Sequence, residues 1–493
     1  MRRIAPSLKV AARAVLLGVQ LPAMSDGDFR SSLAELERLA STLGFEVVGR
    51  VTQRRTRLAS GGVVGSGKLK ELAEWTGGSG IIQAQIGGRS DKTDADEGEE
   101  DPDDDSDATR VARGRDEVSV HARRGDGSGD GTDSLTEDES DVLRGGDRSS
   151  EPRATIVLVD QDVSPSQARN LERATGVEVL DRTAVILAIF QRHARSREAR
   201  LQVEIARLEY MAPRLRETGG GRDRQGGGIG GRGAGESASE LDRRKVRDRV
   251  AELRQELASI EHEAGNRRKR REDVNTVALV GYTNAGKSSW MRALTGSGVL
   301  VEDKLFATLG TTVRVLKPET ATRVLVSDTV GFIKHLPHDL VASFRSTLDE
   351  ARDCSLLLHI VDASDPAFQA QIDVTREVLA SIGADESPHL IVFNKADRID
   401  ELTRARVSKA YPDALLLSAH DPASVETLRA RILAHFERDL EEAELLVPYA
   451  HSRVVAQAHE LGTVLAEAYE SDGVRLRVRA STSALSKLRA ALD

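Results

Sequence analysis

Gly281-Tyr282-Thr283-Asn284-Ala285-Gly286-Lys287-Ser288 follows the apolar run 276–280, fits the pattern G-x-x-x-x-G-K-[ST], and leads into helical sequence. Each fixed position has a physical purpose. Gly281 and Gly286 let backbone N–H groups wrap a β-phosphate at a helix N-terminus. Lys287 reaches the β and γ oxygens, and the Ser288 hydroxyl ligates Mg2+. A strand, a phosphate loop and a helix in that order predict a parallel α/β sheet with its ligand at the carboxyl ends of the strands.

Downstream, the sequence supplies the partners such a loop needs. Apolar 324–326 ends in Asp328-Thr329-Val330-Gly331, where the carboxylate holds the metal through water and the Gly331 amide senses the γ-phosphate. Apolar 390–393 ends in Asn394-Lys395-Ala396-Asp397. A carboxylate there accepts from the ring N–H and the exocyclic amine of guanine, a pair that adenine does not offer. Ser418-Ala419-His420 follows a short strand and fits a backbone contact to the guanine oxygen. Between these motifs, Phe306-Ala307-Thr308-Leu309-Gly310-Thr311-Thr312 fits a switch segment. Its Thr308, with Thr312 as second choice, completes the Mg2+ shell when γ-phosphate is present. Four ordered motifs predict a GTP hydrolase. Phe332 follows Gly331 where many small G proteins carry a water-positioning glutamine, and an apolar side chain cannot orient water. Asn284 is then a candidate to hold a monovalent cation, K+, near the phosphates, against the plainer reading of an Asn that stabilises a turn.

Away from this region the chain is uneven in charge. It has 493 residues, 39% of them hydrophobic, enough for about three domains. Residues 91–153 carry 22 Asp plus Glu against 9 Lys plus Arg, a local −13 that leaves the rest at +4 of the overall −9. With almost no Leu, Ile or Phe, that stretch reads as a disordered acidic insertion within a folded unit. From 192 to 271 the sign reverses, with 21 basic against 13 acidic residues, a candidate nucleic-acid surface or a solvated helix face. The single Cys354 excludes a disulfide framework or thiolate metal cluster, and beside the run 356–361 it reads as a small buried side chain. No run approaches 18 apolar residues, so a membrane span is not expected. Residues 14–19 form a short apolar run directly after Arg13 and read as a strand rather than a leader core.

The predicted architecture is a multidomain α/β chain. An N-terminal α/β domain spans 12–190, interrupted by the insertion at 88–153. Its helix 31–43 lies between strands at 14–19 and 45–48. Ser164-Pro165-Ser166-Gln167 predicts a capping box after a strand at 155–159. A two-helix antiparallel arm spans 191–272. Its seams are Leu201, Ile205, Leu208, Ala212 and Leu215 against Val246, Val250, Leu253, Leu257 and Ile260, at spacings of four and three. The arm's tip, 219–235, holds ten glycines with Arg222, Arg224, Gln225 and Arg232, candidates for RNA contact or a flexible linker. A GTPase domain at 273–440 follows, then a small α/β domain at 445–493 with a helix over 452–469 and a strand at 474–478.

The runs Ser164-Pro-Ser-Gln-Ala-Arg-Asn-Leu-Glu, Gly226-Gly-Gly-Ile-Gly-Gly-Arg-Gly, Gly281-Tyr-Thr-Asn-Ala-Gly-Lys-Ser and Val301-Glu-Asp-Lys-Leu-Phe-Ala-Thr-Leu resemble the HflX family of GTPases. Gly65-Ser66-Gly67-Lys68 also fits that family's N-terminal domain, where it is not the phosphate loop. The use of a single cysteine fits a reducing cytoplasm, a monomer is expected, and the resemblance implies a protein that binds the large ribosomal subunit and its RNA. It further implies splitting of stalled or idle ribosomes in the GTP form, with an arm whose tip reaches toward the peptidyl-transferase region. Three places depart from the family pattern: 236–242 after the Gly-rich loop, Leu309-Gly310-Thr311-Thr312 where Leu-Asp-Pro-Thr is typical, and Ser289-Trp290 where Thr-Leu is usual. Two other readings compete: a GTP-gated assembly factor for the large subunit, and a tRNA-modification GTPase. The second lacks its expected terminal cysteine motif here.

Overall fold

The computed structural model describes residues 12–59, 61–82, 153–215, 238–269, 274–297, 305–306, 312–319, 323–334, 345–438 and 440–492. The acidic insertion, apart from Arg153, and the arm's tip lie outside these residues. So do Ala307, Thr308, Leu309, Gly310 and Thr311.

The first sheet is wholly parallel, with strand order β2-β1-β3-β4, from β1 (Arg13–Gln20), β2 (Glu46–Arg54), β3 (Ile156–Val159) and β4 (Glu178–Asp181). The run 14–19 is apolar throughout because β1 lies inside the sheet and is covered on both faces. Ala14 and Leu16 pack with helices α1 (Asp26–Leu43) and α4 (Arg182–His193), while Val15, Leu17 and Val19 pack with α2 (Ser66–Thr76) and α3 (Pro165–Thr175). The capping box at α3 forms: Ser164 Oγ accepts from the Gln167 amide at 3.2 Å, and Gln167 Oε1 accepts from the Ser164 amide at 2.9 Å. Helix α1 begins five residues ahead of the apolar period, where Ser25 caps its first turn. Strand β2 runs six residues past the expected 45–48. It is an edge strand with only Val51 buried, so its outer half reads as polar.

The arm pairs α5 (Arg197–Leu215) with α6 (Ala238–Lys269). Leu201, Ile205 and Leu208 meet Val246, Val250, Leu253, Leu257 and Ile260. Arg197 bonds Glu256 while Arg249 pairs with Glu204, so numbering rises on one helix as it falls on the other. Ala212 and Leu215 fall outside that seam. Instead, the end of α5 is tied to the first sheet: Tyr210 Oη and Arg214 Nη2 both donate to the Asp181 carboxylate, at 2.6 and 2.7 Å.

The second sheet has six strands, ordered β10-β9-β8-β5-β7-β6, parallel except for β6 against β7. These are β5 (Asn275–Val280), β6 (Thr312–Val315), β7 (Val324–Asp328), β8 (Leu356–Asp362), β9 (His389–Asn394) and β10 (Leu415–Leu416). Helix α7 (Lys287–Thr295) packs on one face, with Trp290, Met291 and Leu294 in the core beside Val277, Leu279 and Val326. Cys354 is buried on the opposite face with Ala278 and Val280, burial pushes its thiol up to about 11, and Sγ donates to the Ala351 carbonyl at 3.2 Å.

The third sheet is antiparallel, β11-β13-β12, from β11 (Leu440–Val447), β12 (Gly462–Tyr469) and β13 (Val474–Ser481). It begins at Leu440 rather than at the expected 445. The helix expected over 452–469 is half strand: the helix ends at Leu461, Gly462 is fully extended, and 462–469 pairs with β13 across the Asp472-Gly473 turn. Val464, Leu465 and Ala468 keep a helical spacing, but cross-strand pairing outweighs that local preference. Among the described residues no helix is long and apolar enough to cross a membrane.

Candidate nucleotide site

The loop 281–288 leaves the carboxyl end of β5, at the centre of the second sheet. Its glycines are required by close approach. A Cβ at Gly281 (φ 142°) would lie 2.2 Å from the Ile360 carbonyl, and one at Gly286 (φ 98°) 2.1 Å from Asn394 Nδ2. Asn284 also adopts a left-handed conformation, φ 61°. Lys287 is 6% exposed and donates to the carbonyls of Gly281 and Tyr282 at 3.0 and 2.8 Å, engaging two of its three donors. Burial lowers its pKa to about 8, partly offset by Asp328.

Asp328 ends β7 beside the loop, and Ser288 Oγ donates to its Oδ2 at 2.8 Å. A hydroxyl and a carboxylate at that separation can share a hydrated divalent cation. Thr283 Oγ1 is buried without a hydrogen-bond partner among the described residues, which fits a polar group arriving at the loop. Thr329 Oγ1 donates to the Leu279 carbonyl at 2.7 Å, while Val330 packs in the cluster that joins the first two sheets. The Gly331 segment lies on the loop: Phe332 N donates to Gly281 O at 3.1 Å and Thr283 N to Phe332 O at 2.7 Å. Phe332 itself is buried beside Ala278 and Val280, well suited to packing and unable to hold water.

At the base end, Asn394 ties the motifs together. Its Nδ2 donates to the Ala285 carbonyl at 2.8 Å, and its Oδ1 accepts from the Ala419 amide at 3.1 Å. Lys395 Nζ bonds Asp362 at 2.6 Å, and Ala396 N donates to Leu417 O at 3.1 Å. Asp397 is exposed, and a hydrogen bond from Ser418 holds its carboxyl below the usual range, so it is ionised and able to accept from a base. The His420 amide donates to Ser418 Oγ at 3.3 Å.

Two of the sequence-derived residues point elsewhere. Tyr282 and Phe306 turn their side chains into the first sheet's core, Phe306 meeting Phe190 edge-on at 4.6 Å. Of the two, Tyr282 keeps its backbone in the loop, where its carbonyl accepts from Lys287. Conversely, sequence reading missed Glu35, which takes the Tyr282 hydroxyl across the interface of the two sheets, Arg182, which pairs with Glu35, Lys334, whose amide donates to the same hydroxyl, and Asp362, which anchors Lys395. Glu35 lies beside the apolar stripe Leu33, Leu36 and Leu39, and no local signal marks a contact 247 residues away.

Three family models match in order: GTP-binding GTPase N-terminal at 30–83 and 144–191, GTP-binding GTPase Middle Region at 193–271, and 50S ribosome-binding GTPase at 276–395. The GTPase HflX of Gluconacetobacter diazotrophicus is 50% identical over 97% of this chain and 97% of its own length. That of Caldanaerobacter subterraneus subsp. tengcongensis is 33% identical over 97% of this chain and 93% of its own. The Escherichia coli K12 protein is 40% identical over 66% of this chain and 79% of its own. With a guanine-type site at the strand ends and this likeness along nearly its whole length, the chain belongs to the HflX family of GTPases, and it binds and hydrolyses GTP.

Proposed function

We propose that this GTPase binds the large ribosomal subunit and, in its GTP form, separates stalled or idle ribosomes into subunits, with hydrolysis to GDP releasing it. The observation that supports the reading is the presence in one chain of a nucleotide site and a packed two-helix arm that exposes basic residues. Arg244, Lys245 and Arg247 are exposed at the start of α6, next in sequence to the Gly/Arg segment 219–235. The description of the family model matched by 276–395, a 50S ribosome-binding GTPase, supports the same partner. RNA phosphates would be met by Arg222, Arg224, Gln225 and Arg232, with the salt sensitivity such contacts confer. The protein would act as a monomer in the cytoplasm.

In this reading Lys287 neutralises charge on the β- and γ-phosphates, and the Gly331 amide meets the γ-phosphate. The backbone of 281–288 and of 306–310 surrounds the phosphates, and Asp397 and the Ala419 amide read guanine. Mg2+, held by Ser288 and Thr308 directly and by Asp328 through water, would supply further charge neutralisation. K+ at Asn284 would add positive charge where a cis glutamine is lacking. Intrinsic turnover is then on the order of 10⁻⁴ to 10⁻² s⁻¹, and ribosomes accelerate it strongly. Equal rates with and without ribosomes would sink activation in trans. Excising 219–235 is expected to leave basal hydrolysis intact and to weaken ribosome action; undiminished action would return that segment to a linker.

A further inference from the structure

Tyr282 is the first variable position of the phosphate loop, yet its side chain leaves the loop for the first sheet, where it is 6% exposed beside Leu36, Leu39 and Val185. Its hydroxyl donates to Glu35 Oε1 on α1 and accepts from the Lys334 amide at 2.8 Å. Lys334 stands three residues after Gly331. One oxygen therefore joins the loop, the chain following Gly331, and a helix of the other sheet. Glu35 is itself fixed, because its second oxygen takes the Arg182 guanidinium, and Arg182 Nη1 donates to Asp160 at 2.7 Å. Lys334 Nζ adds a contact to Asp28 of α1 at 3.3 Å.

Packing alone does not require this arrangement. An apolar pair of similar volume would fill the interface with less desolvation, whereas a buried chain of hydroxyl, carboxylate and guanidinium fixes direction as well as distance. What it fixes is the segment 331–334. Its start is held by the two backbone bonds between Phe332 and the loop, and its end by Tyr282. Between them Gly331 has little latitude, since a Cβ there would stand 2.9 Å from both Lys287 Nζ and Thr283 Cα.

We propose that Glu35, acting through the Tyr282 hydroxyl, is a positioning residue of GTP hydrolysis that holds 331–334 so that the Gly331 amide meets the γ-phosphate. The inference rests on the assignment of Gly331 to the γ-phosphate made above. GDP has no group that reaches Gly331, so loosening the clamp affects the triphosphate and spares the diphosphate. A contact that only stabilised the fold would weaken both nucleotides together or lower Tm alone.

The test uses the full chain with Tyr282→Phe, Glu35→Gln and Gly331→Ala, measuring Kd for GDP and for a non-hydrolysable GTP analogue, single-turnover hydrolysis and Tm. Tyr282→Phe and Glu35→Gln are expected to change GDP affinity by less than about twofold, to weaken the analogue about tenfold and to slow hydrolysis. The double variant should be no worse than either single change. Should Glu35→Gln unfold because Arg182 loses a counter-charge, Tyr282→Phe, which deletes one oxygen, still decides. Parallel losses for both nucleotides, or none, in Tyr282→Phe overturn the proposal. If Gly331→Ala alone discriminates GTP from GDP, the clamp is wrong and the γ-phosphate assignment stands. If Gly331→Ala also leaves the analogue's affinity unchanged, the assignment fails and the clamp with it.

Discussion

Lys287 and Asp397 mark the two ends of the site, and each carries a measurable share of affinity. A charge-assisted hydrogen bond contributes about 1.5 to 3 kcal/mol, so Lys287→Ala, which removes the ammonium from two phosphates, is expected to weaken GTP by at least about 100-fold. Unchanged affinity in a filter or fluorescence titration would mean the wrong loop. Asp397→Ala should erase most of the preference for GTP over ITP, which lacks the exocyclic amine; a preserved preference would remove Asp397 from base recognition. His359 carries a different prediction. Buried in β8, it is pushed down to about 3, first by desolvation and then by Arg376, His389 and Lys287. The unfolded chain takes up a proton as pH falls through about 6.5, while the folded chain resists until about 3. Stability is therefore whole above pH 6.5 and drains below it, by about 2 kcal/mol at pH 5. Urea unfolding of His359→Leu should show a loss between pH 7 and 5 smaller by that amount; an identical loss would show that His359 is not the group that titrates. At this scale the loop, Asp328, Asn394 and Asp397 were legible because each motif answers a short-range demand, such as the Cβ clashes at Gly281 and Gly286. Glu35 and Arg182 were not, because the contact between them spans 147 residues and that of Glu35 with Tyr282 spans 247.

Among the elements, the arm shows how far periodicity reaches. Spacings of four and three identified the seam from Leu201 to Leu208 and from Val246 to Ile260. The same spacing overran at Ala212 and Leu215, where Tyr210 and Arg214 are instead claimed by Asp181. Leu253 is 1% exposed at the centre of that seam, and Leu253→Ala should cost about 2 to 5 kcal/mol of arm pairing. Hydrogen exchange in α6 should rise while nucleotide affinity holds; unchanged exchange would mean the seam does not bind the helices together. Capping was more reliable than periodicity, since the Ser164 box is complete within three residues. In the third sheet the opposite holds, because β12 owes its conformation to pairing with β13, which no window over 462–469 contains.

For the whole molecule, the first two sheets meet through Tyr282, Leu305, Phe306, Val330 and Ile333, so the first sheet packs against the loop and against both segments expected to respond to the γ-phosphate. Replacing K+ by Na+ should lower hydrolysis if Asn284 holds a monovalent cation, and equal rates in the two salts would reduce Asn284 to a turn residue. One experiment bears directly on the ribosomal role. Intact ribosomes are sedimented with the purified protein and either a non-hydrolysable GTP analogue or GDP. Separated subunits with the analogue, the protein travelling with the large one, and intact ribosomes with GDP are the expected result. Protein bound to large subunits while intact ribosomes stay whole in both nucleotides would contradict splitting and favour an assembly factor.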